Sequence, residues 1–319
     1  MTGRIEAIDQ YRGFAILLMV LANYMNNVQI IPAWLKHAPD VGYTVIDLIA
    51  PMFIFAMGLT YGLSFRRRLS QKGAWRTYEH FITRNLALIG LGYLITLVWQ
   101  LSKIQPPSIN WGLLQALGAA GLITLPFIRL PSAWRMGIGL GLLATYQVLL
   151  DRFWLQDVML APHNGPWGAL SWGAMLIMAT ALADLSQGEE IARRKYLLVS
   201  GISVFGGLLL ALLVPISKDR ASASYIFLSL GLSSLVYYGF LLLNSKWEVR
   251  LPVLTDWGRN PLLLYLLHYI LLGMFVLPSI PSWYVEAPLW LIVIQLTAIL
   301  ILLSLVGRYL NQRKLYFVL

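Results

Sequence analysis

Three polar side chains near the start of the chain are of types that could do chemistry at a membrane surface: Asn23, His37 and Asp47. Imidazole titrates near neutral pH, so His37 could move a proton. Each residue also has a simpler reading. "TVID" sets Asp47 three residues after Thr44, the capping-box spacing, and an acid in a first turn suits the helix dipole. His37 stands in a short loop, where a lone histidine is usually a surface residue. Asn23 lies in an apolar run with Asn26 and Asn27 at i+3 and i+4, where polar groups either tie helices together or line a cavity. Composition leaves both readings open.

Further polar candidates are scattered along the chain. Asp9 and Arg12 in "IDQYRGF" have a spacing that permits a helical ion pair. Arg84 could hold phosphates, although a basic residue at a membrane edge needs no such task. His163 sits in a turn-rich loop, "APHNGPWG". His268 lies inside an apolar segment, where an ionisable group marks a candidate site. No two histidines have a metal-ligand spacing such as H-E-x-x-H, so no metal is expected.

These residues must be positioned by membrane helices. The chain has 319 residues, 58% hydrophobic and 12% charged, against about 25% charged in a soluble protein. Apolar runs near membrane-crossing length recur throughout. They predict an all-α polytopic membrane protein with ten transmembrane helices: 11–31, 44–65, 79–101, 111–129, 134–151, 167–186, 196–216, 223–244, 258–278 and 287–307. With both termini cytoplasmic, all but five of the 24 lysines and arginines fall inside; Lys36, Lys103, Arg152, Lys218 and Arg220 stay outside. The first apolar run ends without a cleavage-like site, so no signal peptide is expected. The net charge of +10 is spread over alternate helix ends rather than one stripe, which argues against a nucleic-acid partner. The absence of cysteine excludes disulfides and thiol nucleophiles. The outer loops are short, so a single domain over 1–319 is expected, with chemistry in the bundle or at its outer mouth.

The order and spacing of the early motifs resemble a known family. "IDQYRGFAILLMVLANY", "LKHA", "GYTVIDLIAPMFIFAMG" and later "GRNPLLLYLLHY" are similar to the heparan-α-glucosaminide N-acetyltransferase family of transmembrane acyltransferases. The match falls on Asp9, Arg12, Gly13, Asn23, Tyr24, His37, Ala38, Gly42, Thr44, Asp47, Leu48, Pro51, Phe53, Phe55, Met57 and Gly58. It is weaker afterwards. "LLQALG" has Ala116 where the family has arginine, and "SKDRASASYIF" keeps Lys218, Ser224 and Tyr225 but has Ala221 for a tryptophan. "PHNGPWG" stands where the family tends to an acidic D-P-E-G.

The resemblance implies acetyl transfer from cytoplasmic acetyl-CoA to an amine or hydroxyl of a sugar or glycan on the outer side. His37 would be the base or acyl-accepting nucleophile, with Asp47 and Asn23 in support. Arg84, Arg12, Asn260 and Lys218 are the candidates to hold acetyl-CoA, helped by the basic run 66–76. His163, Asn27 and His268 are the candidates to contact the acceptor. A bacterial inner membrane with a periplasmic site and a possible homodimer are the expected setting. The alternatives are a transporter or flippase without covalent chemistry, and an inactive sensor or scaffold.

Overall fold

The computed structural model describes residues 6–102, 111–188, 190–278 and 280–317, and among them every regular element is helical. Arg4 and Lys103, both counted in the charge bias, lie outside the described residues. Contacts divide the chain into two compact units. The first takes residues up to 38, then 44–52 and 236 onward; the second takes 39–43 and 53–235.

The first unit holds helix α1 (Glu6–Met25), short 3₁₀ turns at Ala33–Leu35 and Val45–Leu48, and the first turn of α2 (Ile49–Ser102). It also holds the end of α8 (Ala223–Ser245), then α9 (Pro252–Arg259), α10 (Pro261–Val276) and α11 (Leu289–Gln312). Helices α1 and α9 cross where neither has a side chain. A Cβ at Gly13 would lie 1.9 Å from the Leu254 carbonyl oxygen, and one at Gly258 would lie 1.7 Å from that of Asp9. The glycines of "RGF" and "WGRN" therefore let two backbones touch.

The segment 258–278, expected as one span, contains a bend near its start. Helices α9 and α10 meet at 94° across Asn260 and Pro261. Proline lacks an N–H and pushes the preceding residue out of the helical region, and Asn260 has φ −127° and ψ 52°.

The second unit holds the rest of α2 and α3 (Leu113–Thr124), α4 (Ser132–Leu149), a π turn (Leu150–Trp154) and α5 (Leu155–Leu160). It continues with α6 (Gly165–Ser186), α7 (Glu190–Leu210) and the start of α8. Helix α6 is the core: Ala174 to Ala183 is buried on all sides, and α3 and α4 pack on it. Helix α2 breaks at Gly73, whose φ of 77° is one that side chains with a Cβ rarely adopt. Arg135 is buried and fully engaged. Its guanidinium reaches Thr180 Oγ1 at 2.7 Å, the Leu130 carbonyl at 3.0 Å, and Asp184, which also takes Arg66 at 2.8 Å.

Each of the ten expected segments coincides with a helix, the second and third being the halves of α2 on either side of Gly73. By length and composition, four helical stretches among the described residues could cross a membrane: Val45–Val98, Pro162–Ser186, Ala223–Ser245 and Leu289–Gln312. The bent α9–α10 pair makes a fifth. The other expected segments lie on less apolar or shorter helices. Glu6, Asp9 and Arg12 open α1, Arg193–Lys195 open α7, and α3 has only 12 residues.

Candidate active site

The Val45–Leu48 turn is built around one carboxylate. Asp47 is buried, at 1% exposure, and four donors converge on it. Its Oδ2 accepts the Thr44 N–H at 2.9 Å and the Ala38 N–H at 3.1 Å. The Thr44 hydroxyl lies 3.1 Å from the same oxygen and 2.8 Å from the Lys36 carbonyl, with one hydrogen to share. Oδ1 faces His37 Nδ1 at 2.8 Å. Only an acceptor suits such a position. One oxygen thus closes the capping box and the other contacts the imidazole. The His37 side chain is 36% exposed, and its Nε2 has no partner among the described residues. Helix α1, which carries Asn23, packs against this same turn.

Asn23 faces inward. Its Nδ2 lies 2.9 Å from His268 Nε2 on α10, and its side chain also hydrogen-bonds Tyr269. His268 is 1% exposed, and its Nδ1 contacts the Tyr265 carbonyl. Both ring nitrogens of the buried His268 thus have partners within this unit. Asn27 is exposed; its Oδ1 lies 3.4 Å from Asn26 Nδ2 and its side chain hydrogen-bonds Tyr284.

Of the residues considered for acetyl-CoA, Arg12 and Asn260 lie in the first unit, Arg84 and Lys218 in the second. Arg12 sits 3.7 Å from Asp9 in the ion pair its spacing permits, and Asp9 is also 3.8 Å from Arg259. Asn260 is buried, and its amide clamps the end of the chain: Nδ2 donates to the Leu315 carbonyl at 3.1 Å, and Oδ1 accepts the Phe317 N–H at 2.9 Å. The Lys218 side chain pairs with Asp219 at 3.3 Å. The Lys218 carbonyl accepts from buried Asn164 at 2.8 Å, and Asn164 in turn accepts from Trp172 at 3.0 Å. His163, exposed at φ 50°, precedes Asn164 in that anchored turn. Arg84 differs from these. It is half-buried on α2 in the second unit, with no acidic partner among the described residues.

One feature close to His37 in sequence was not anticipated. In the second unit Asp40 is gripped by Arg220 Nε at 2.8 Å and by Ser217 Oγ at 2.8 Å, while the Gly42 N–H donates to the Ile216 carbonyl at 2.9 Å. The only hint in the sequence was an acid and a base left over in loops between apolar runs. The Arg220 hydrogen bond holds the Asp40 carboxyl below the usual carboxylate range.

Apolar helices of crossing length and an exposed imidazole tied to a buried carboxylate define a helical membrane protein with the parts of an acyl-transfer site. The family model for "Heparan-alpha-glucosaminide N-acetyltransferase, catalytic" matches residues 4–167, and the chain belongs to that family. Heparan-alpha-glucosaminide N-acetyltransferase of Homo sapiens is 34% identical over 125 residues, covering 36% of this chain and 17% of the human protein. The Mus musculus protein is 33% identical over 125 residues, covering 36% of this chain and 18% of its own. The chain thus spans less than a fifth of the length of these curated relatives. The matched region contains Asn23, His37, Asp47 and Arg84, whereas Lys218, Asn260 and His268 lie beyond it.

Proposed function

We propose that this protein transfers an acetyl group from acetyl-CoA to an amine or hydroxyl of a sugar, with His37 as the reacting group. The observation that carries this reading is the 2.8 Å contact between His37 Nδ1 and buried Asp47, which commits one ring nitrogen and leaves Nε2 for the acceptor. In direct transfer the acceptor's nitrogen or oxygen bonds to the acetyl carbonyl carbon and gives its proton to Nε2. The carbon–sulfur bond breaks, and the thiolate leaves with the proton the imidazolium returns. In the two-step route Nε2 attacks the acetyl carbon and the carbon–sulfur bond breaks to release the CoA thiolate; the acceptor then attacks the same carbon, the carbon–Nε2 bond breaks, and the acceptor's proton goes to the thiolate. Either way Asp47 keeps the ring in the tautomer with its lone pair on Nε2. Asn23 offers an amide N–H to the oxyanion; removing such a donor costs about 3 kcal/mol in other acyl transfers.

The donor's phosphates fall to Arg84. Its half-buried guanidinium has no acidic partner among the described residues and suits bidentate phosphate binding. Arg12, Asn260 and Lys218 are already engaged with Asp9, the chain end and Asp219. The acceptor is a glucosamine-like sugar of an envelope glycan, by extension from the relatives' name. The bias of basic residues to one side supports ten spans, with His37 on the outer face of a bacterial inner membrane.

The test is stoichiometry. Protein in nanodiscs is given acetyl-CoA and glucosamine, and released thiol is titrated; a chain without cysteine adds no background. One acetylated sugar per thiol is expected. Sugar crossing proteoliposomes without thiol release, unchanged in His37→Ala, would instead establish a transporter.

A further inference from the structure

The geometry points to His268 as a positioning residue that takes one N–H of the Asn23 amide and so fixes the amide with its second N–H left for the oxyanion. This inference rests on the transferase reading, in which Asn23 donates to the oxyanion. An amide side chain has a donor end and an acceptor end of the same shape, and rotating it by half a turn exchanges them. An Asn in an oxyanion role works only with its NH₂ presented. Something must therefore forbid the flipped state.

His268 meets that need through its own fixed tautomer. Its Nδ1 contacts the Tyr265 carbonyl, which can only accept, so Nδ1 carries the hydrogen. In the neutral ring Nε2 is then a bare lone pair. Asn23 Nδ2 lies 2.9 Å from it and donates; with the amide reversed, its carbonyl oxygen would face a second acceptor. The ring cannot turn away from this task. It is 1% exposed, tilted against Tyr269 with centroids 4.1 Å apart and set edge-on to Tyr265 at 5.4 Å. The hydrogen bond also joins residues 245 apart, tying α1 to α10 within one unit. His268 thus acts through Asn23 and touches no reacting atom.

The test is a double-mutant cycle in nanodiscs, read as thiol release from acetyl-CoA with glucosamine as acceptor. Asn23→Ala is expected to lower kcat about 10²–10³-fold. His268→Leu should lower kcat with little change in the acetyl-CoA KM, and the double variant should be no worse than Asn23→Ala. His268→Gln, whose carbonyl can accept the same N–H, should recover most of the activity. Losses that multiply in the double variant would overturn the positioning role and leave the transferase reading standing. An Asn23→Ala variant of near-normal kcat would instead sink the oxyanion assignment itself. A readout that needs no folded leucine variant is ¹⁵N NMR of histidine-labelled protein, which has four histidines. His268 is expected in the Nδ1–H tautomer, and an Nε2–H tautomer would refute the inference outright.

Discussion

Replacing Asp47 with Asn separates its two jobs. Three donors converge on Oδ2 and one on Oδ1. The new amide keeps its carbonyl oxygen at the crowded position, because an NH₂ there would face two backbone N–H groups, each costing about 1–3 kcal/mol to strand. The NH₂ therefore points at His37 Nδ1. That nitrogen must then accept, the ring hydrogen moves to Nε2, and Nε2 can no longer take a proton from the acceptor. The same exchange in a serine-protease triad costs about 10⁴ in kcat, or about 5 kcal/mol of barrier. Asp47→Asn is expected to show a loss of this order, measured as thiol release, with the melting temperature changed by only a few degrees. Asp47→Ala would confuse the issue, since it also strands the Ala38 and Thr44 N–H groups. A folded Asp47→Asn protein with kcat within tenfold of wild type would reduce Asp47 to a helix cap and refute the reasoning.

Four other outcomes follow from the geometry. Arg84→Gln should raise the acetyl-CoA KM about tenfold or more, since hydrogen bonds to charged groups contribute about 1.5–3 kcal/mol; an unchanged KM would remove Arg84 from the donor site. Asp40 is lowered by Arg220, so its carboxylate stabilises the fold above the unfolded value near about 3.9 and loses that contribution as pH falls through the lower folded value. The melting-temperature gap between wild type and Asp40→Asn should therefore hold from neutral pH down to about pH 5 and close below about pH 4. Gly258→Ala puts a methyl 1.7 Å from the Asp9 carbonyl oxygen and should cost at least about 3 kcal/mol, seen as loss of the monodisperse protein on size exclusion. Asn260→Ala should expose residues 315–317 to limited proteolysis while leaving the acetyl-CoA KM unaltered.

Much of this was legible in the sequence because it is local. The ten apolar runs fall on helices, "TVID" forms its capping box, and Asp9 meets Arg12 one turn later. The histidine and aspartate of the motif also meet as the resemblance implies. What could not be read are partners set by packing between distant segments. Asn23 finds His268 across 245 residues, Arg135 finds Asp184, and Asp40 finds Arg220. Apolar periodicity says which face of a helix is buried but not which side chain lies opposite. For that reason the hydrogen bonds of His268 and Asn260, both candidates for ligand contacts, could not be read: one meets the Asn23 amide and the other residues 315 and 317. The bend at Asn260–Pro261 was signalled by the proline, but the apolar run through it masked the break.

The most direct test is kcat for acetyl transfer to glucosamine by His37→Ala in nanodiscs, beside wild type and with acetyl-CoA binding measured in parallel. Binding within a few-fold of wild type with transfer down by about 10²–10⁴ is the predicted result. Transfer at the wild-type rate without the imidazole would contradict the account.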